Sequence, residues 1–166
     1  MIRKFSIAIF IILLTELCAN AQISFGPSSP YIYLKGKDAS ALPVNWMNSN
    51  YIPTGWYSGN APFWYGDGTS GTQLSDMQNT YSTVYLRSTF TAQNITELQD
   101  VQFSVNYNDG FIIWINGEEA FRMYAPADNP YNSFATAQHE SGTNELFTLP
   151  ARDLALIEGE NLIAVQ

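Results

Sequence analysis

Asp67 stands between Gly66 and Gly68, and Thr69, Ser70, Thr72 and Asp76 follow. This is an oxygen-rich stretch of the kind that can ligate a hard cation. Calcium takes roughly six to eight oxygens, which carboxylates and the carbonyls of a glycine-rich loop can supply. The spacing is not that of an EF-hand, and an aspartate capping its own turn uses the same residues. Asp67 and Asp76 are the candidate ligands of a structural calcium. His139–Glu140 offers a second chemistry, since imidazole titrates near neutrality. It is the only histidine in the chain, which excludes a two-histidine metal site, and no Gly-x-Ser-x-Gly elbow supplies a nucleophile. The pair reads as structural hydrogen bonding. Asp109, in Asn108–Asp109–Gly110, reads as a turn residue. Glu118 and Glu119 are adjacent, and neighbours on a regular strand point to opposite faces. They cannot form the carboxyl pair, about 5 Å apart, of a retaining glycosidase. No catalytic constellation emerges.

The remaining chemistry is that of sugar binding. Trp56, Tyr57, Trp64 and Tyr65, with Asn60 and Asp67 nearby, combine flat rings with amide and carboxylate groups. Rings cover the C–H face of a pyranose, and the polar groups take its hydroxyls. The same rings, with Trp46 and Phe63, would equally serve to close a core and anchor loops. Both readings stay open at this point.

Composition narrows the partners. The 166 residues carry 7 Lys plus Arg against 15 Asp plus Glu, a formal charge of −8. A nucleic-acid binder needs a basic face to displace counterions from phosphate, so none is expected. Hydrophobic residues make up 46% and charged residues 13%, enough for a core and too few charges for disorder. A single cysteine allows no disulfide framework and no thiolate zinc site. Arg3 and Lys4 precede an apolar run, Phe5 to Leu14, broken by Ser6, and Ala19-x-Ala21 precedes Gln22. That is the pattern of a signal peptide over 1–21, too short in its apolar part to span a bilayer. Acylation at Cys18 is disfavoured by the bulky Leu17 before it. The expectation is a secreted or cell-surface protein whose mature part, 22–166, has no membrane span.

The elements that must position these residues follow from periodicity. Residues 26–80 are dense in Gly, Pro, Ser, Asn and aromatics, a texture of long ordered loops between short strands. From 81 onward a period of two takes over. Tyr85, Arg87, Thr89 and Thr91 alternate with Val84, Leu86, Ser88 and Phe90, and Val101, Phe103, Val105 and Tyr107 form another one-faced strand. Phe111 to Ile115 is continuously apolar, as in a central strand buried on both faces. Asn116–Gly117 predicts a type I′ hairpin, which needs positive φ at both central residues. Strands are also expected over Glu118–Met123, Glu145–Leu149 and Asn161–Gln166. Between the last two, a short helical turn over 151–156 is expected to stop at Gly159. No helical-length amphipathic window follows the leader, so the chain is all-β, a sandwich or barrel.

Several of these segments also occur together in a known pattern. The order is Arg87-x-x-Phe90, Val101-x-Phe103-x-Val105, Asp109–Gly110, Trp114–Ile115–Asn116–Gly117, Phe147–Thr148–Leu149 and Gly159–Glu160–Asn161–Leu162-x-Ala164–Val165. It resembles the galactose-binding-like jelly roll, over roughly 60–166, and Pro62 to Gly68 resembles a loop that accessory versions carry. The resemblance implies a non-catalytic accessory module of a secreted multidomain bacterial protein, beside lamin-tail-like, spore-coat-H-type kinase or phosphoesterase domains. The fold alone assigns no ligand; a carbohydrate or cell-surface glycan is the ligand expected from the aromatic and polar residues above. A spacer or docking module, or the N-terminal fragment of a larger secreted enzyme, is the alternative. The family pattern continues for a further strand where this chain reaches Val165–Gln166, so a sandwich truncated at its C-terminus is expected, with neighbouring domains beyond it.

Overall fold

The computed structural model describes residues 21–26, 29–66, 68, 70–140, 142 and 144–166. The signal-peptide expectation, Ala21 apart, lies outside the described residues, and so does Asp67. Period-two patterning produces strands throughout. They are β1 (Gln22–Ser24), β2 (Pro30–Lys35), β3 (Tyr57–Asn60), β4 (Phe63–Trp64), β5 (Thr72–Gln73) and β6 (Val84–Gln93). They continue as β7 (Asp100–Val105), β8 (Phe111–Ile115), β9 (Glu118–Met123), β10 (Glu145–Pro150) and β11 (Gly159–Val165). Seven form one antiparallel sheet in the order β3-β2-β6-β11-β8-β9, with β1 also paired to β6. β7 and β10 form a second, antiparallel pair, and β4 and β5 a short parallel one. No helix among the described residues is long and apolar enough to cross a membrane.

The all-apolar β8 is buried at all five positions, as its composition requires, because the large sheet has a core on each face. Phe111, Ile113 and Ile115 point to one side, with Phe90, Ala92 and Ile163. The β7–β10 pair covers that side through Phe103, Val105 and Phe147, which makes the molecule a β-sandwich. Ile112 and Trp114 point to the other side, with Leu34, Tyr85 and Ala164. There the cover is a loop: Ala39, Leu42, Trp46, Met47, Tyr51 and Trp56 pack onto the sheet in place of strands.

This asymmetry explains β6, where simple alternation fails. Tyr85 and Arg87 are buried under the loop cap, whereas Ser88, Phe90 and Ala92 are buried on the opposite, sandwich side. Thr89 and Thr91 lie on the capped side and are exposed. The cap therefore ends near Arg87 and leaves bare sheet beyond it.

The hairpin forms as its dipeptide requires. Ile115 pairs with Glu118 across a two-residue turn, with φ of 51° at Asn116 and 94° at Gly117. A Cβ on Gly117 would also collide with Asn48 Oδ1. Ala120 has no partner in the β8–β9 register, which is a bulge that adds twist. The C-terminal segment differs from the sequence reading. The turn after Pro150 is a single 3₁₀ turn, Ala151–Asp153, and Gly159 (φ 90°) opens β11 and stops no helical turn. The extended residues between them are held by Asn161, whose side chain is only 1% exposed. Its Oδ1 accepts from the Ile157 N–H and its Nδ2 donates to the carbonyls of Ile157 and Gly159. Asn116 completes the knot, donating to Asn161 Oδ1 and to the Ala155 carbonyl while accepting from the Leu162 N–H.

Candidate functional site

The acid/base candidates are engaged in holding loops. His139 does not pair with Glu140. Its ring stacks on Tyr107 with centroids 3.9 Å apart, and Nε2 lies 2.7 Å from Glu145 Oε1. Nδ1 lies 3.1 Å from the Tyr107 carbonyl, and the Tyr107 hydroxyl donates to Glu145 Oε2. Glu140 instead accepts from Asn108, and Asp109 accepts from the His139 N–H. The strand pairing of β7 with β10 brings Val105 opposite Glu145, which is why a partner six residues away outcompetes the adjacent one. The Glu145 carboxylate raises the His139 pKa above its ordinary value. A raised folded-state pKa contributes stability that is complete below the unfolded value of about 6.5 and fades as pH climbs through the folded value. The melting-temperature gap between the wild type and His139→Gln is therefore expected to be wider near pH ~5.5 than near pH ~8.5. An equal gap at both would contradict the pairing. Glu119 is likewise committed, to Arg122.

Of the calcium candidates, Asp67 lies outside the described residues, and Asp76 is already engaged. Both Asp76 oxygens are taken by ammonium groups, Oδ1 by Lys35 at 2.8 Å and Oδ2 by Lys37 at 2.6 Å, and the Tyr81 hydroxyl adds a third donor. Hydrogen bonds from Lys35 and Lys37 hold this carboxyl well below the usual carboxylate range. Calcium there would have to displace two cations. Among the described residues no group of three His, Cys, Asp or Glu is gathered to hold a metal.

The five sugar-binding candidates are dispersed. Trp56 stacks on Trp46 at 6.1 Å and packs against the cluster containing Leu34. Tyr57 packs on Tyr33 at 5.3 Å. Tyr33 and Leu34 are consecutive on β2 and face opposite ways, so Trp56 and Tyr57 lie on opposite sides of the sheet. Trp64 lies against Gly68, where a Cβ would enter its ring, and donates its Nε1–H to the Ser70 carbonyl. It anchors its own loop. Tyr65 is about half exposed. Asn60 stands apart from these rings, exposed at the end of β3 on the face of Ser58 and Ile32.

That face carries the open surface. The β2–β6 ladder stops at Ile32–Arg87, and β1 takes up the same edge of β6 only from Thr91. Between them the strands part, bridged by the Ser88 hydroxyl donating to the Pro30 carbonyl at 2.7 Å. A groove of about 370 Å³ opens there, lined by Ile32, Ser58, Asn60, Arg87, Thr89 and Leu162 among others. A second, of about 360 Å³, continues toward Asn116 and Glu160 and shares Arg87, Thr89 and Leu162 with the first. Ser58, Asn60 and Thr89 are exposed there, and Ile32 and Leu162 line the same groove.

Arg87 joins groove and cap. Its side chain is buried, and Nη1 donates to the carbonyls of Trp46 and Asn48 while Nη2 makes a long 3.5 Å contact with the Tyr51 carbonyl. The Tyr51 ring lies 5.2 Å from the guanidinium carbon. No carboxylate pairs with it among the described residues, and burial lowers its pKa. The sequence placed Arg87 in a strand motif but not in a site; the only signal was an arginine on the same face as Tyr85.

No protein-family model and no curated protein matches the chain. Its fold is similar to part of a solved β-glucuronidase from an uncultured Clostridium species, with a TM-score of 0.54 and 17% sequence identity. The match covers 87% of this chain and 22% of that one, so the chain spans about a fifth of the neighbour's length. At this identity the likeness is one of fold: a small β-rich domain of the sandwich class, similar to part of a larger enzyme.

Proposed function

We propose that the chain is a non-catalytic accessory module of an exported protein, of the galactose-binding-like kind, and that it binds a saccharide in the groove between β2 and β6. The observation that carries this reading is the groove itself. Bare sheet is left uncovered where the cap ends, and exposed Ser58, Asn60 and Thr89 share one groove lining with Ile32 and Leu162. Hydroxyl and amide groups over an apolar floor suit a ring with hydroxyls on its rim and C–H bonds on its faces. The structural neighbour's name, a β-glucuronidase, favours a saccharide over other small polar ligands. In this reading Asn60 contacts ligand, whereas Trp56 packs in the loop cap and Trp64 anchors its own loop. Tyr57 and Tyr65 carry exposed rings outside the groove.

A glycan array probed with the protein tests this. Binding to a restricted set of glycans is expected, with loss of at least about tenfold in affinity for Thr89→Tyr, whose ring fills the groove mouth without touching either core. Loss on Tyr65→Ala with Thr89→Tyr unaffected would move the site elsewhere. An empty array, with tight association to a neighbouring domain of the parent chain, would replace glycan binding by docking.

A further inference from the structure

Of the residues lining the first groove, Arg87 is the only charged one. It is buried, yet no carboxylate accompanies it among the described residues. A buried cation without an anion is costly, and such groups are ordinarily paired. Its bonding is also incomplete. The three carbonyl contacts use both Nη1 hydrogens and one on Nη2. The Nε–H and the second Nη2–H are left over. No side-chain nitrogen sealed from solvent is unpaired among the described residues, so Nε is in contact with solvent, and Arg87 lines both grooves.

Nε–H and Nη2–H on one edge of a guanidinium form the planar fork that grips a carboxylate through two parallel hydrogen bonds. The cap carbonyls engage Nη1, and at long range Nη2, and so hold the guanidinium in place. The second groove carries Glu160, which would repel an anion, whereas the first carries no acidic residue. We infer that Arg87 makes the β2–β6 groove selective for an acidic saccharide, binding the carboxylate of a uronic acid on its free edge while Ser58, Asn60 and Thr89 take the hydroxyls. The inference rests on the saccharide reading above and adds the charge of the ligand. It also runs against the long-range field, since the whole chain is at −8. The preference must come from local geometry and survive moderate salt, as a partly buried pair is screened less than an exposed one.

The test titrates the full chain with galacturonate, with galactose and with acetate, following the Arg87 Nε–H resonance by NMR together with the affinity. Galacturonate is expected to shift that resonance and to bind about tenfold or more tightly than galactose. Thr89→Tyr, which leaves the carbonyl clamp intact, should abolish both effects. Arg87→Lys keeps a charge but not the fork and is expected to lose the preference; if it fails to fold, Thr89→Tyr still decides. Equal binding of galactose and galacturonate, or galactose alone, would overturn the inference and leave the saccharide reading standing. Acetate shifting the resonance as strongly and as tightly as galacturonate would keep the anion fork but remove the sugar. An unmoved resonance with all three would remove the acidic-saccharide site altogether.

Discussion

Trp46→Ala is expected to destabilise the fold by about 3–5 kcal/mol, the cost of removing a large aromatic from a packed core. Trp46 is 4% exposed, lies edge-on to Tyr85 at 5.0 Å and to Trp114 at 5.3 Å, and carries Trp56 on its outer side. It comes from a loop, so no strand ladder holds the segment down once the ring is gone. Urea unfolding provides the measurement. Trp56→Ala, at the outer edge of the same stack, should cost clearly less, and Tyr65→Ala should remain within about 0.5 kcal/mol of the wild type, as exposed positions do. A loss below about 1 kcal/mol at Trp46 would mean that the loop does not form the second core.

Asn161→Ala should be nearly as severe, at roughly 2–4 kcal/mol. A buried polar group that loses its partner costs about 1–3 kcal/mol, and here several lose one together. The Ile157 N–H, the carbonyls of Ile157 and Gly159, and one Asn116 donor all depend on this side chain. For a chain of this size that corresponds to a fall in melting temperature of about 5–15 °C. Asn161→Asp tests the same knot differently, because a carboxylate keeps the acceptor but sets a negative charge against two carbonyls. It too should destabilise. A neutral effect of both substitutions would show that the segment 155–159 is held by its backbone alone.

Much of the sandwich was legible in the order of residue types. The β8 run, the Asn116–Gly117 turn and the alternation of β7 each express a local rule that tertiary contacts then reinforce. The reading failed where one face of a strand changes environment partway along. Thr89 reads as one more step in the Tyr85–Arg87 alternation, and only the endpoint of the loop cap decides that it is exposed. That endpoint is set by Trp46, Tyr51 and Trp56, some thirty to forty positions earlier in the chain. His139 failed for the same reason, since its partner Glu145 arrives through the β7–β10 register. The aromatic candidates, close in sequence, do not gather on one face. Trp56 and Tyr57 stand on opposite sides of one sheet, and spacing alone shows this only once β3 is known to begin at Tyr57.

The most direct measurement is a map of backbone amide shifts on titration with the strongest ligand from the glycan array. The shifts are expected to concentrate at 31–32, 58–60, 87–89 and 162, along the parted edge of β2 and β6, with the β7–β10 pair unmoved. Shifts centred instead on Tyr57, Trp64 and Tyr65, with residues 87–89 silent, would contradict the assignment of the groove as the binding site.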